Sequence, residues 1–86
     1  MHPQDYCIKW VPRLYGIHPE DRGFKARSIT ELARVTGLKE GSIKGWGADY
    51  EKHPTIVATL LSYVDFILEI EQTLEHSPLP PLDKNS

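Results

Sequence analysis

The sequence is short of cysteine, of long apolar runs and of excess charge of either sign, and each shortage closes off a class of protein. A single cysteine, Cys7, excludes an internal disulfide. The histidines (His2, His18, His53 and His76) stand far apart, and neither they nor Cys7 fall at the close ligand spacings of a zinc site, so no metal is expected. No apolar stretch approaches the roughly 18 residues a bilayer span needs, and Met1 to Tyr6 is too polar for a signal peptide. A cytoplasmic location is the resulting expectation. Catalytic patterns are lacking as well: there is no phosphate-binding glycine loop, no recognisable carboxylate pair and no nucleophile with a credible base. Neither an enzyme nor a cofactor-binding protein is expected.

What is present is a chain of 86 residues whose apolar content of 40% is that of a folded domain, and only one domain fits in that length. So short a chain buries only about 60% of its unfolded surface, which leaves stability to tight packing and to a partner. The net charge of −2 hides a gradient. Residues 1 to 21 carry two basic against three acidic side chains, or −1; residues 22 to 52 carry seven against four, or +3; residues 53 to 86 carry one against five, or −4. The middle of the chain is basic and its end acidic.

Three segments carry helical signals. Ser28-Ile-Thr-Glu31 has the spacing of a capping box, which predicts a helix from Ser28 to about Thr36 with Gly37 as a left-handed C-terminal cap. A second short helix is predicted from Glu40 to Trp46, ending at Gly47. Gly41 and Gly45 weaken it by about 0.5 to 1 kcal/mol each relative to alanine. A long third helix is predicted from Pro54 to His76. Before them, Asp5 to Ile17 mixes Tyr6, Ile8, Trp10, Val11 and Leu14 around Pro12, which predicts irregular or helical turns packed on the domain. Trp10 is expected to pack under the first helix of the pair rather than to stack on a base. Residues 77 to 86 read as a disordered, proline-rich tail.

The run Glu31-Leu-Ala-Arg-Val-Thr-Gly-Leu38, followed by Ile43 and Trp46, resembles the helix-turn-helix of bacterial and phage DNA-binding regulators of the Cro/CI-like or MerR-like kind. The resemblance covers about 20 residues directly. It implies an all-α domain over 1–76, made of an N-terminal packing segment (1–27), the helix-turn-helix (28–47) and the long C-terminal helix (54–76). Leu32, Leu38, Ile43 and Trp46 would form a small core, with Ala33 small at the helix crossing. It also implies double-stranded DNA as the partner, with the second helix in the major groove. Carried onto this chain, the groove-facing candidates are Lys39, Glu40, Ser42 and Lys44. Phosphate contacts fall to Ser28 and Thr30 at the amide end of the first helix, with Lys25, Arg27 and Lys52. Arg34 either joins them or pairs with Glu31 three residues before it. Tyr50 is expected in the core.

The apolar residues of the third predicted helix form two adjoining stripes. Ile56, Leu60, Tyr63, Ile67, Ile70 and Leu74 are spaced 4-3-4-3-4, beside Val57, Leu61, Val64 and Leu68. One stripe is enough to cover a two-helix motif, so the first is expected to pack against its symmetry mate in a homodimer. The alternative is that the N-terminal segment, with Tyr6, Ile8, Trp10 and Leu14, covers it in a monomer. The functional expectation is a sequence-specific DNA-binding transcription regulator, a dimeric repressor. The alternatives are a protein-interaction adaptor on the same fold, or the DNA-recognition subunit of a phage packaging or recombination machine.

Overall fold

Glycines and prolines punctuate the chain into helices. In the computed structural model, which describes residues 1–75, α1 spans Pro3–Tyr15, α2 Phe24–Thr36, α3 Glu40–Lys44 and α4 Thr55–Glu75. No strand occurs among the described residues, so the domain is all-helical there. His76 and the tail expected at 77 to 86 lie outside the described residues.

The N-terminal segment is a regular helix, where the sequence predicted turns broken at Pro12. His2 caps it, its Nδ1 accepting from the Gln4 amide at 3.0 Å, and Pro3 occupies the first turn, where a missing amide proton costs nothing. Pro12 sits inside the helix at its last turn. Only the end of the hydrogen-bond ladder is affected, and Gly16, left-handed at φ 72°, closes the helix by donating to the Pro12 carbonyl at 2.9 Å. A proline inside a helix costs about 3 kcal/mol. Complete burial of Tyr6, Cys7, Trp10 and Val11 from this one helix outweighs that, since each large apolar side chain contributes about 1.5 to 3 kcal/mol.

The second correction concerns Ser28. The α2 helix begins one turn earlier, at Phe24 with Gly23 as its cap residue, so Ser28 lies within the helix and is fully buried. Its small side chain allows α1 to come close, with the Cys7 thiol 3.9 Å from the Ser28 carbonyl. Burial pushes that thiol up to about 12. The turn His18–Asp21 prepares the start of α2: Asp21 accepts from the His18 amide at 2.9 Å, and its carbonyl takes the Phe24 amide at 3.1 Å.

Glu31 does not reach back to cap the helix, because its carboxylate is enclosed between α1 and α2. Tyr6 donates to Oε2 at 2.7 Å and Tyr15 to Oε1 at 2.7 Å, while Arg34 supplies Nε at 2.9 Å and Nη2 at 2.8 Å. Arg34 therefore takes the pairing role. Burial alone would raise the Glu31 carboxyl, but Arg34 and the two phenols outweigh it and hold the group below its usual range. Burial and the same carboxylate raise both tyrosines.

Gly37, at φ 76°, ends α2 as its position predicted, and its amide donates to the Ala33 carbonyl at 2.9 Å. Leu32, Ile43 and Trp46 are buried as expected, whereas Leu38 is 40% exposed and stands outside the core assigned to it. The α3 helix is shorter than predicted and stops at Lys44. Gly47, at φ 101°, cannot continue a helix.

The α4 helix lies against α1 through the Val57, Leu61, Val64 and Leu68 stripe. Trp10 is fully buried in that core and donates from Nε1 to Asp65 at 2.8 Å. Lys9 pairs with Asp65 at 2.7 Å and Glu69 at 2.6 Å, and Arg13 approaches Glu69 at 3.6 Å. None of the described helices is long and apolar enough to cross a membrane.

Replacing Glu31 with alanine strips two phenols and a guanidinium of their acceptor, and should lower the unfolding free energy by about 2 to 4 kcal/mol in a denaturant titration. Because the native carboxyl is held low, its contribution is complete above the unfolded value of about 4.3 and fades as the pH falls through the native value. A Glu31→Gln variant should therefore show a shallower loss of stability in acid than the parent chain. An equally steep acid limb would refute that role for Glu31.

Candidate nucleic-acid interface

The residues singled out for DNA contact separate into three groups. Lys39, just before α3, and Glu40, Ser42 and Lys44 on it are all exposed, while Ile43 on the same helix is fully buried and Trp46 just beyond it nearly so. The helix thus presents a polar outer side because its apolar residues are consumed by α2. Lys39 begins α3 in extended conformation and makes no side-chain cap bond. The Thr30 hydroxyl lies 3.1 Å from the Ala26 carbonyl and 3.2 Å from a Glu40 oxygen, which ties the outer edge of α2 to the start of α3.

Lys25, Arg27 and Lys52 are also exposed. The first two rest on aromatic rings. Lys25 stands 3.8 Å from the Tyr50 ring centroid and donates to the Ala48 carbonyl, so it bridges the first turn of α2 to the loop after α3. Arg27 lies 5.1 Å from the centroid of Tyr15. Such contacts hold a cation in place while leaving its head group at the surface.

Ser28 is the exception. Buried in the middle of α2, it is removed from any surface and cannot meet a phosphate. The first turn of that helix starts instead at Phe24, which places Lys25 where Ser28 was expected.

The loop from Gly45 to Pro54 supports this surface from below. Tyr50 is buried as expected, but in a left-handed conformation at φ 61°, unusual for an aromatic residue. Its hydroxyl and that of Ser28 are both buried without a hydrogen-bond partner. Burial pushes the Tyr50 phenol up to about 12. The loop closes through Lys52, whose amide donates to the Trp46 carbonyl at 2.8 Å, and through His53, whose Nδ1 lies 2.7 Å from the Tyr50 carbonyl. His53 also meets the His2 ring edge-on at 4.7 Å between centroids. Both histidines thus serve packing, and among the described residues no group of three or more histidine, cysteine or acidic side chains is placed to hold a metal ion.

On α4, five of the six residues expected at a dimer seam are exposed: Ile56, Tyr63, Ile67, Ile70 and Leu74. Leu60 is half-buried. Phe66, 64% exposed, belongs with them and was missed, although its place three residues after Tyr63 and four before Ile70 was a sufficient signal. The N-terminal helix covers the neighbouring stripe and not this one, and its own Ile8 and Leu14 are exposed.

Compared with models of protein families, with curated proteins and with solved structures, the chain matches none.

The Tyr50 hydroxyl contributes nothing while it stays unpaired, so Tyr50→Phe should raise the unfolding free energy by about 1 kcal/mol. By contrast, Gly47→Ala should lower it, since φ 101° strains any side chain, and the Glu51 carboxylate would have to swing aside for the added carbon. Thermal or denaturant midpoints read both signs. A destabilised Tyr50→Phe protein would mean that the hydroxyl is satisfied in solution.

Proposed function

We propose that this chain is a sequence-specific double-stranded DNA-binding protein of the helix-turn-helix type, acting as a dimeric transcriptional repressor. The observation that carries the reading is α3 itself: a short helix held on α2 by Ile43, with Lys39, Ser42 and Lys44 left on its outer side. The connection from α2 through Gly37 is the tight turn such a motif uses. In this reading Lys44 donates to a guanine edge, Ser42 contacts a base or a phosphate, and Glu40 accepts from a cytosine amino group. Lys25, Arg27, Thr30 and Lys52 hold the backbone, Lys39 stands with the groove-facing residues, and occupying an operator is the mechanism. Residues 22 to 52 carry the +3 balance, which suits a polyanion despite the overall −2.

A protein-interaction adaptor is the second reading, favoured by the exposed apolar face of α4. One substitution separates the two. Selection of duplex fragments from a random pool should yield a preferred sequence whose binding weakens steeply with salt, and Lys44→Glu should weaken it at least about tenfold without unfolding the protein. If no duplex is retained at low salt, or if Lys44→Glu binds as well as the parent, the DNA reading fails and the adaptor reading takes its place.

A further inference from the structure

The α4 helix buries one apolar stripe and leaves the other in solvent. Ile56, Tyr63, Phe66, Ile67, Ile70 and Leu74 are between 44% and 69% exposed, although they run in line along 18 residue steps, about 27 Å of helix. At about 150 to 250 Å² for a whole aromatic side chain, and less for the aliphatic ones, the face amounts to roughly 600 Å². That is at the upper limit of about 300 to 600 Å² for the largest patch on an ordinary monomer. It also approaches the roughly 800 Å² that each partner contributes to a standard interface.

The charges of α4 sit elsewhere. Asp65 and Glu69 are turned to Lys9 and Arg13 on α1. Among the described side chains of α4, the exposed residues beside the apolar row are Thr55, Thr59, Ser62, Glu71 and Thr73, with a single charge among them. An anionic membrane would require lysines or arginines along this face, and the described part of α4 has none. A different protein recognised through complementary charge would likewise need more than Glu71. With half-buried Leu60 counted and Phe66 beside it, the row from Ile56 to Leu74 keeps the alternating four-and-three spacing at which a helix meets a copy of itself along a continuous seam. A residue on that seam packs against its own counterpart or near neighbour, so flanks nearly free of charge bring no like-charge repulsion to a two-fold contact.

We infer that the exposed face of α4 is the docking surface for a second copy of this chain, with Tyr63, Phe66, Ile67 and Ile70 at the centre of a two-helix seam. The seam depends only on the face described; its use in presenting two α3 helices to two half-sites rests on the proposed DNA function.

Sedimentation equilibrium on the full chain tests it. At about 100 µM, where even a micromolar dimer is almost entirely paired, the parent should show twice the mass of one chain. Phe66→Glu and Ile67→Asp, both at exposed positions, should each raise the dimer dissociation constant at least about tenfold while leaving helix content by circular dichroism and the melting temperature of the diluted monomer unchanged. Should one variant lose its fold, the other carries the test, and Tyr63→Lys provides a third. A monomeric parent at that concentration, a dimer indifferent to these substitutions, or a monomer that adsorbs to neutral phospholipid vesicles through this face would overturn the inference. A dimer that binds no DNA upholds the seam and removes the DNA function, whereas a monomer that binds DNA does the reverse.

Discussion

The enclosed carboxylate of Glu31 fixes how α1 and α2 sit, and the remainder of the fold is arranged around that fixed pair. Each of its oxygens receives two donors: Tyr15 and Arg34 Nε on Oε1, Tyr6 and Arg34 Nη2 on Oε2. A buried carboxylate is tolerable only when its acceptor sites are filled in this way, and filling them specifies the rotation of α2 as well as its distance from α1. With that rotation fixed, Ile29 and Leu32 point into the core, Ser28 lies in the contact with α1, and Thr30 is left at the edge where α3 begins. The network thus determines which side of α2 remains for α3, and therefore which residues of α3 look outward.

Sequence reasoning succeeded where the signal is local. Gly37 marked the end of α2 and the apolar period marked α4 almost to its ends, while α3 was placed correctly at its start but stops at Lys44, two residues short of the predicted end. It failed where a distant partner overrides a local preference. Ser28 and Glu31 have the spacing of a capping box, yet Tyr6 and Tyr15, sixteen and more residues away in sequence, claim the carboxylate, and α2 starts a turn earlier. Pro12 argued against a helix, but the penalty falls on the last turn while five residues of that helix are wholly buried. The candidate surface was legible to a comparable degree. The α3 residues stand exposed as read, while Ser28 was misplaced because its burial depends on a helix the local pattern did not reveal.

The overall acidity also takes on a different meaning in three dimensions. Glu31 is neutralised by Arg34, and Asp65 and Glu69 by Lys9 and Arg13, so much of the negative charge stabilises helix contacts and is not a free field. Asp65 is held low against the cost of its burial by Lys9 and by the Trp10 indole. The formal charge of the acidic segment at 53 to 75 therefore overstates the free negative field around the helices. Lys39, Lys44 and Lys52 remain exposed, so the basic middle of the sequence is expressed at the surface.

The two stripes of α4 pose the question of why so small a domain carries more apolar surface than it can bury. The α1 helix has room for one stripe, and the pairing of Lys9 and Arg13 with Asp65 and Glu69 locks it there; rolling α4 to hide Tyr63 and Ile67 would break that pairing and expose Val57 and Leu61 instead. The exposed row is therefore not a packing fault that a small adjustment removes. For a chain of 86 residues, whose own core is limited by size, the proposed partner face would supply burial that one copy cannot provide. A second copy would offer that face without added sequence, and, under the proposed DNA function, would set a second five-residue α3 at a fixed separation from the first.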